Sequence, residues 1–197
     1  MDLHPTLESH WPQDLETAIE VQESLRPKVV REGKLGELKY VAGVDVGFEE
    51  DGTVTRAAVA VLEFPSLRLV EAVIAKTPTL FPYIPGYLSF REIPAVLKAL
   101  RELQFQPDVL LCDGQGIAHP RRLGIASHLG VLVDIPTIGV AKSILVGRHA
   151  EVPDIKGARV PLIHRKEIVG VALRTRVKTK PLFISLGHKI DLQSSIE

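Results

Sequence analysis

The chain has 197 residues, 45% of them hydrophobic, which suits one domain around a single sizeable core. Its 24 basic and 24 acidic residues cancel, so bulk charge gives no non-specific hold on nucleic acid, and no apolar run is long enough to span a bilayer. The polar N-terminus Met1-Asp2-Leu3-His4-Pro5 is not a secretory signal and the lone Cys112 rules out an internal disulfide, so a soluble, cytoplasmic, monomeric protein is expected.

Residues 14–27 predict an amphipathic helix, with Leu15, Ile19, Gln22 and Leu25/Arg26 near helical spacing and Pro27 as its stop. A charged loop follows over 28–39, then three strands at 40–48, 55–63 and 67–76, separated by the turn signals Asp51-Gly52 and Pro65-Ser66. Ala57, Val59 and Val61 fall on one face of the second strand. A stiff loop, Phe81-Pro82-Tyr83-Ile84-Pro85-Gly86, leads into a helix from about Ser89 to Gln104. Strand 108–113, a short helix at 120–130, strand 136–140 and two more strands at 167–175 and 181–186 complete the pattern, without internal repeats. The order predicts an α/β fold: a mixed sheet of three antiparallel strands followed by parallel strands, flanked by helices. It resembles the ribonuclease H-like fold, in which acids from the first strand, the fourth strand and the intervening helix converge on metal ions.

Twice an apolar strand ends in an aspartate beside glycine, at Val41-Ala42-Gly43-Val44-Asp45 and at Val109-Leu110-Leu111-Cys112-Asp113-Gly114. One such aspartate is best read as a turn cap. Two on neighbouring central strands point to a hard divalent cation, Mg²⁺ with Mn²⁺ as a substitute, because an unpaired buried carboxylate is strongly disfavoured. Glu92, at the start of a helix, is either stabilised by the helix N-terminus or a third ligand. Arg91 beside it is a surface charge or a phosphate contact. Phe81-Pro82-Tyr83-Ile84-Pro85 is too rigid and donor-poor for a core segment and reads as an exposed aromatic tip, with Pro82-Tyr83-Ile84-Pro85 suited to a wedge that holds an unstacked base open; the alternative is a loop packed down by its aromatics. Gly114-Gln115-Gly116 and Gly124 allow backbone to approach a ligand, although glycines after a strand often only form turns. His119 reads as a phosphate contact or an ordinary loop residue. Lys142, after a buried strand, is a stabiliser of phosphate charge or a surface lysine. Arg174, Arg176, Lys178 and Lys180 form an acid-free basic run, equally a phosphate track or a solvated loop. Zinc-hydrolase, P-loop and serine-hydrolase motifs are absent from the sequence.

Together these blocks resemble the endonuclease V family. The resemblance rests on Val41–Asp45, on Phe81–Gly86 with Phe90-Arg91-Glu92, and on Asp113–Gly116 through His119-Pro120-Arg121. It extends to Leu123–His128, Ile135–Ser143 and Gly187-His188. It implies a DNA repair endonuclease that recognises deoxyinosine and hydrolyses the second phosphodiester bond on its 3′ side, leaving 5′-phosphate ends. It leaves inosine-containing RNA open as a second substrate. Asp45, Glu92 and Asp113 match the family's metal ligands, Lys142 a catalytic lysine and Tyr83 the wedge tip. Gly86, Leu88, Gly114, Gln115, Gly116, Gly124 and Ile125 match the pocket for the flipped base, and His119 and Arg121 the phosphate contacts.

The resemblance also implies a further C-terminal segment with a helix, whereas this sequence ends at Ser194-Ser195-Ile196-Glu197, where Ser194 and Glu197 have capping-box spacing. A shortened chain with reduced cleavage, down to an inosine-binding module, is the alternative expectation. An actin-like ATPase, suggested by Gly43-Val44-Asp45-Val46-Gly47, would need a second phosphate motif and a longer chain.

Overall fold

The computed structural model describes residues 11–197; the N-terminal signature at Met1–Pro5 lies outside them. Helix α1 (Leu15–Leu25) starts where the Asp14 carboxylate accepts the Thr17 N–H at 2.9 Å. Its buried face is Ala18, Gln22 and Leu25, and Leu15 is 41% exposed, so the helix is rotated from the predicted stripe. The strands β1 (Tyr40–Glu49), β2 (Val54–Glu63) and β3 (Arg68–Pro78) form the predicted antiparallel meander. Ala57, Val59 and Val61 are fully buried on one face of β2, as their alternation required.

Helix α2 (Ser89–Glu102) carries Pro94 in its interior. Proline has no N–H to give the carbonyl four residues back, and that carbonyl, Phe90 O, accepts the Trp11 indole N–H instead at 2.7 Å. Strand β4 (Val109–Asp113) follows, then α3 (Ile125–Val133), buried along its whole length. Helix α3 begins five residues later than predicted, because Pro120–Gly124 turns first, with Arg122 left-handed at φ 60°. Strands β5 (Thr137–Ala141), β6 (Arg159–His164), β7 (Glu167–Leu173) and β8 (Leu182–His188) complete one eight-stranded sheet in the order β3-β2-β1-β4-β5-β8-β7-β6. The pairs β1–β4 and β4–β5 are parallel, as expected, and the sheet then continues antiparallel through β8, β7 and β6.

Strand β6 was not legible in the sequence. It holds Pro161, tolerable only because β6 is an edge strand, and joins β7 through Arg165-Lys166, both left-handed (φ 53° and 67°) without the expected glycine or asparagine. At the C-terminus the Asp191 carboxylate, not Ser194, caps the turn, accepting the Ser194 N–H at 2.7 Å. Among the described residues no helix is long and apolar enough to cross a membrane.

The main core lies between one face of the sheet and the helices, built from Val44, Val59, Ile93, Val96, Leu110 and Leu129. At the end of β4 the segment Gly114–Gly116 is squeezed between β5, β8 and the start of α3. A Cβ on Gly116 would sit 2.0 Å from the Leu186 carbonyl oxygen, and one on Gly124 2.3 Å from that of Gln115. These contacts are backbone on backbone and cannot be relieved by a rotamer change. Gly116→Ala should therefore destabilise the fold by about 3 kcal/mol, read as a lowered midpoint in urea unfolding.

Candidate functional site

The parallel register pairs Val44 of β1 with Cys112 of β4, so the next residues on each strand, Asp45 and Asp113, lie side by side. Val44 and Cys112 turn into the core, and alternation sends both aspartates to the opposite, exposed face. This corrects the expectation that burial makes these carboxylates need a cation. Asp45 Oδ1 accepts its neighbour Val46 N–H at 3.0 Å. Asp113 is ion-paired to the exposed Lys142 ammonium, a contact that raises the lysine pKa.

Glu92 is the half-buried acid of the three. Burial, with help from the charges of Asp113 and Asp45 and against the nearby Arg91, pushes its carboxyl up to about 7. Desolvation thus overrides the helix N-terminus, whose dipole acts in the opposite sense. Among the described residues no three His, Cys, Asp or Glu side chains stand as a ready-made cation cage. The donor chemistry nevertheless fits a hard cation: the charges of Asp113 and Asp45 both bear on Glu92, and Lys142 stands beside Asp113. Cys112 is buried with its thiol pushed up to about 12, so it is a core residue.

Beside the acids opens a cavity of about 380 Å³, reaching from Tyr83, Pro85 and Gly86 past Leu88, Ser89 and Glu92 to Asp113, Gly114, Gln115, Gly124, Ile125 and Lys142. Every expected pocket residue lines it except Gly116, which is buried against β8 with its N–H donated to Ser185 Oγ at 2.8 Å. Gly116 is thus required by packing, and its expected place in the pocket is corrected. Tyr83 is 68% exposed at the rim, flanked by exposed Pro82 and Pro85. The loop is not exposed throughout, however: Phe81 is 1% exposed, packed with Phe90, Tyr87 and Ala18, and Ile84 leans on the same cluster. The base of the loop is a hydrophobic anchor and only its tip projects.

His119 and Arg121, expected at phosphates, are spent elsewhere. The His119 Nε2 bonds Gly86 O at 3.0 Å, while its Nδ1 accepts the Arg121 N–H, which fixes the neutral Nε2–H tautomer. Desolvation, then Arg121, holds that imidazole down at about 4. Arg121 also donates to Gly86 O (2.7 Å), stacks on the Tyr87 ring and bonds Gln22 Oε1. Gln22, only 1% exposed, sends its Nε2–H to the same Gly86 oxygen at 3.0 Å. Three side chains thus converge on one carbonyl at the root of the projecting tip. Arg91 is held between the Phe81 carbonyl (2.9 Å) and the Phe48 ring, not aimed at a phosphate.

Gln22, Ser89 and Ser143 were missed as site residues. For Gln22 a signal existed: an amide on the apolar stripe of a helix needs a buried partner. Ser89 Oγ bonds His128 Nδ1 at 2.9 Å, and His128 is fully buried between Trp11 and Phe90. Nothing in their sequence spacing joins Ser89 to His128.

The sequence profile of the Endonuclease V family matches residues 23–197. An endonuclease V from Trichormus variabilis is 63% identical over 188 residues, covering 95% of this chain and 85% of that protein. The crystal structure of the Streptomyces avermitilis endonuclease V superposes with a TM-score of 0.91 at 42% identity, covering 95% of this chain and 83% of that one. A Ciona intestinalis endonuclease V, solved in complex with a 24mer DNA containing an inosine followed by a ribo-adenosine, superposes at 0.79 and 31% identity, with 91% and 85% covered.

Burial drives the His128 imidazole down to about 3, so it stays neutral in the folded chain while the unfolded chain protonates near 6.5. Its contribution to stability is complete above pH 6.5 and is lost as pH falls toward 3. Between pH 7 and pH 4 the unaltered protein should therefore lose about 3 kcal/mol more stability than His128→Phe, measured by urea unfolding at each pH.

Proposed function

The chain belongs to the endonuclease V family of nucleases, and from that premise we propose that it recognises deoxyinosine in DNA and hydrolyses the second phosphodiester bond on its 3′ side. The observation that carries this reading is the junction of a base-sized cavity with an exposed tyrosine at its rim and with Glu92 and Asp113 in its lining, Asp45 lying beside Asp113 on the neighbouring strand. The inosine-containing DNA bound by the Ciona intestinalis relative supports the same substrate.

Tyr83, stiffened by Pro82 and Pro85, fills the gap that a flipped base leaves in the stack. The extruded hypoxanthine enters the cavity, whose 380 Å³ lies in the range of small-molecule sites. There Gln115 donates its Nε2–H to Ser143 O at 2.8 Å, which leaves the amide oxygen to face the ligand as an acceptor. Hypoxanthine carries a proton on N1 to donate to it, and adenine does not.

Asp45, Asp113 and Glu92 would hold Mg²⁺, with Mn²⁺ an acceptable substitute for the same oxygen donors. The ion, when bound, supplies charge neutralisation at the scissile phosphate and acidifies a water. Glu92 would supply its oxygen from the first turn of α2, beside the two strand aspartates. Lys142 swings from Asp113 toward the phosphate, a short move for a long exposed side chain. Inosine-containing RNA fits the same cavity, which reads the base.

A labelled duplex with one deoxyinosine, incubated in Mg²⁺, should be nicked once with a 5′-phosphate at the downstream end. Asp45→Ala should reduce the rate by at least about a hundredfold with binding retained. Tyr83→Ala should instead weaken discrimination between deoxyinosine and deoxyadenosine duplexes, measured as the ratio of their kcat/KM values. Binding by the unaltered chain without nicking would reduce the protein to a recognition module.

A further inference from the structure

The loop between β7 and β8 carries the acid-free run Arg174, Arg176, Lys178 and Lys180. Strand β8 runs antiparallel to β5, with Phe183 opposite Ala141, so the loop leaves the sheet at the end where Lys142 follows β5. Leu182, two residues past Lys180, lines the same groove as Asp45, Asp113 and Lys142. The basic run therefore leaves the sheet at the same end as Asp45 and Asp113, and the strand that follows it enters their groove at Leu182.

Within the loop the four cations divide the work. Arg174 is mostly buried and points inward: its guanidinium donates to Val152 O (2.8 Å), Pro153 O (3.3 Å) and Thr179 O. Lys178 is left-handed, and its N–H is held by the Asp154 carboxylate at 2.8 Å, while Thr179 Oγ1 closes the turn onto Arg176 O at 2.7 Å. The loop is thus braced by its own backbone and by Arg174. Arg176, Lys178 and Lys180 are all exposed, and among the described residues no carboxylate pairs with their side chains. Three exposed cations on a pre-ordered loop, with the one nearby acid, Asp154, engaged by Arg174 and the Lys178 N–H, offer a row of contacts to a polyanion.

We propose that this loop, through Arg176, Lys178 and Lys180, grips the phosphodiester backbone beside the carboxylate pair and holds the scissile strand in register. The proposal rests on the nuclease reading above. Its chemistry is phosphate contact without base readout, so it sets affinity and salt dependence and leaves the choice of base to the cavity.

The test compares the unaltered chain with Arg176→Gln/Lys178→Gln/Lys180→Gln and with Arg165→Gln/Lys166→Gln, at the opposite end of β7. Binding of a labelled deoxyinosine duplex without added metal is followed by anisotropy from roughly 50 to 300 mM salt, and nicking is followed in Mg²⁺. The triple variant should bind at least about tenfold more weakly near 150 mM salt, with the slope of log K against log salt shallower by roughly 2–3. Its thermal midpoint should stay close to that of the unaltered chain, and the double variant should match the unaltered chain throughout. An unchanged slope in the triple variant, or an equal loss in the double variant, overturns the proposal. No binding and no nicking by the unaltered chain would overturn the nuclease reading itself, and the loop's role with it.

Discussion

The parallel pairing of β1 with β4 is the constraint on which the rest of the structure depends. It sets Asp45 beside Asp113 and sends both to the same face, while Val44 and Cys112 anchor the other face in the core. A slip of one residue in either strand would reverse that face and drive a carboxylate among Val59, Ile93 and Leu110. The hydrophobic patterning that stabilises the fold therefore also fixes the geometry of the acids. Helix α2 packs over β2 and β3 and delivers Glu92 from its first turn to the same place.

The acids differ in how they meet solvent, and this difference organises the chemistry. Asp45 and Asp113 are wet, with charge answered by a backbone N–H and by Lys142. Glu92 is half-buried, and its partial burial together with the charges of Asp113 and Asp45 raises its carboxyl pKa.

Much of this arrangement was legible in the sequence because it follows from alternation and punctuation. Apolar runs ending in aspartate located β1 and β4, and the Pro-Tyr-Ile-Pro tip announced a projecting loop. Less legible were features that depend on distant partners. Phe81 reads as part of the exposed tip, yet its ring is claimed by Phe90 and Tyr87 across the fold. The aspartates read as buried because their strands are apolar, but the sheet face they occupy is open beside Ala58, Ala60 and Leu111. The glycines after β4 read as a ligand cradle, and Gly116 is instead demanded by the Leu186 carbonyl. The resemblance implied phosphate contacts for His119 and Arg121; the fold brings both onto the Gly86 carbonyl, a partner their spacing does not announce.

That carbonyl, on Gly86, is worth following further. An amide oxygen has two lone pairs, and three donors compete for it, from Gln22, His119 and Arg121. Any one donor can be lost and the oxygen remains fully served. The three donors are also tied to one another, Arg121 through Gln22 Oε1 and the His119 ring, so removing one leaves the oxygen served but strands a neighbour in the same cluster. The root of the projecting finger is therefore fastened by a small closed circuit of polar groups, not by a single clasp.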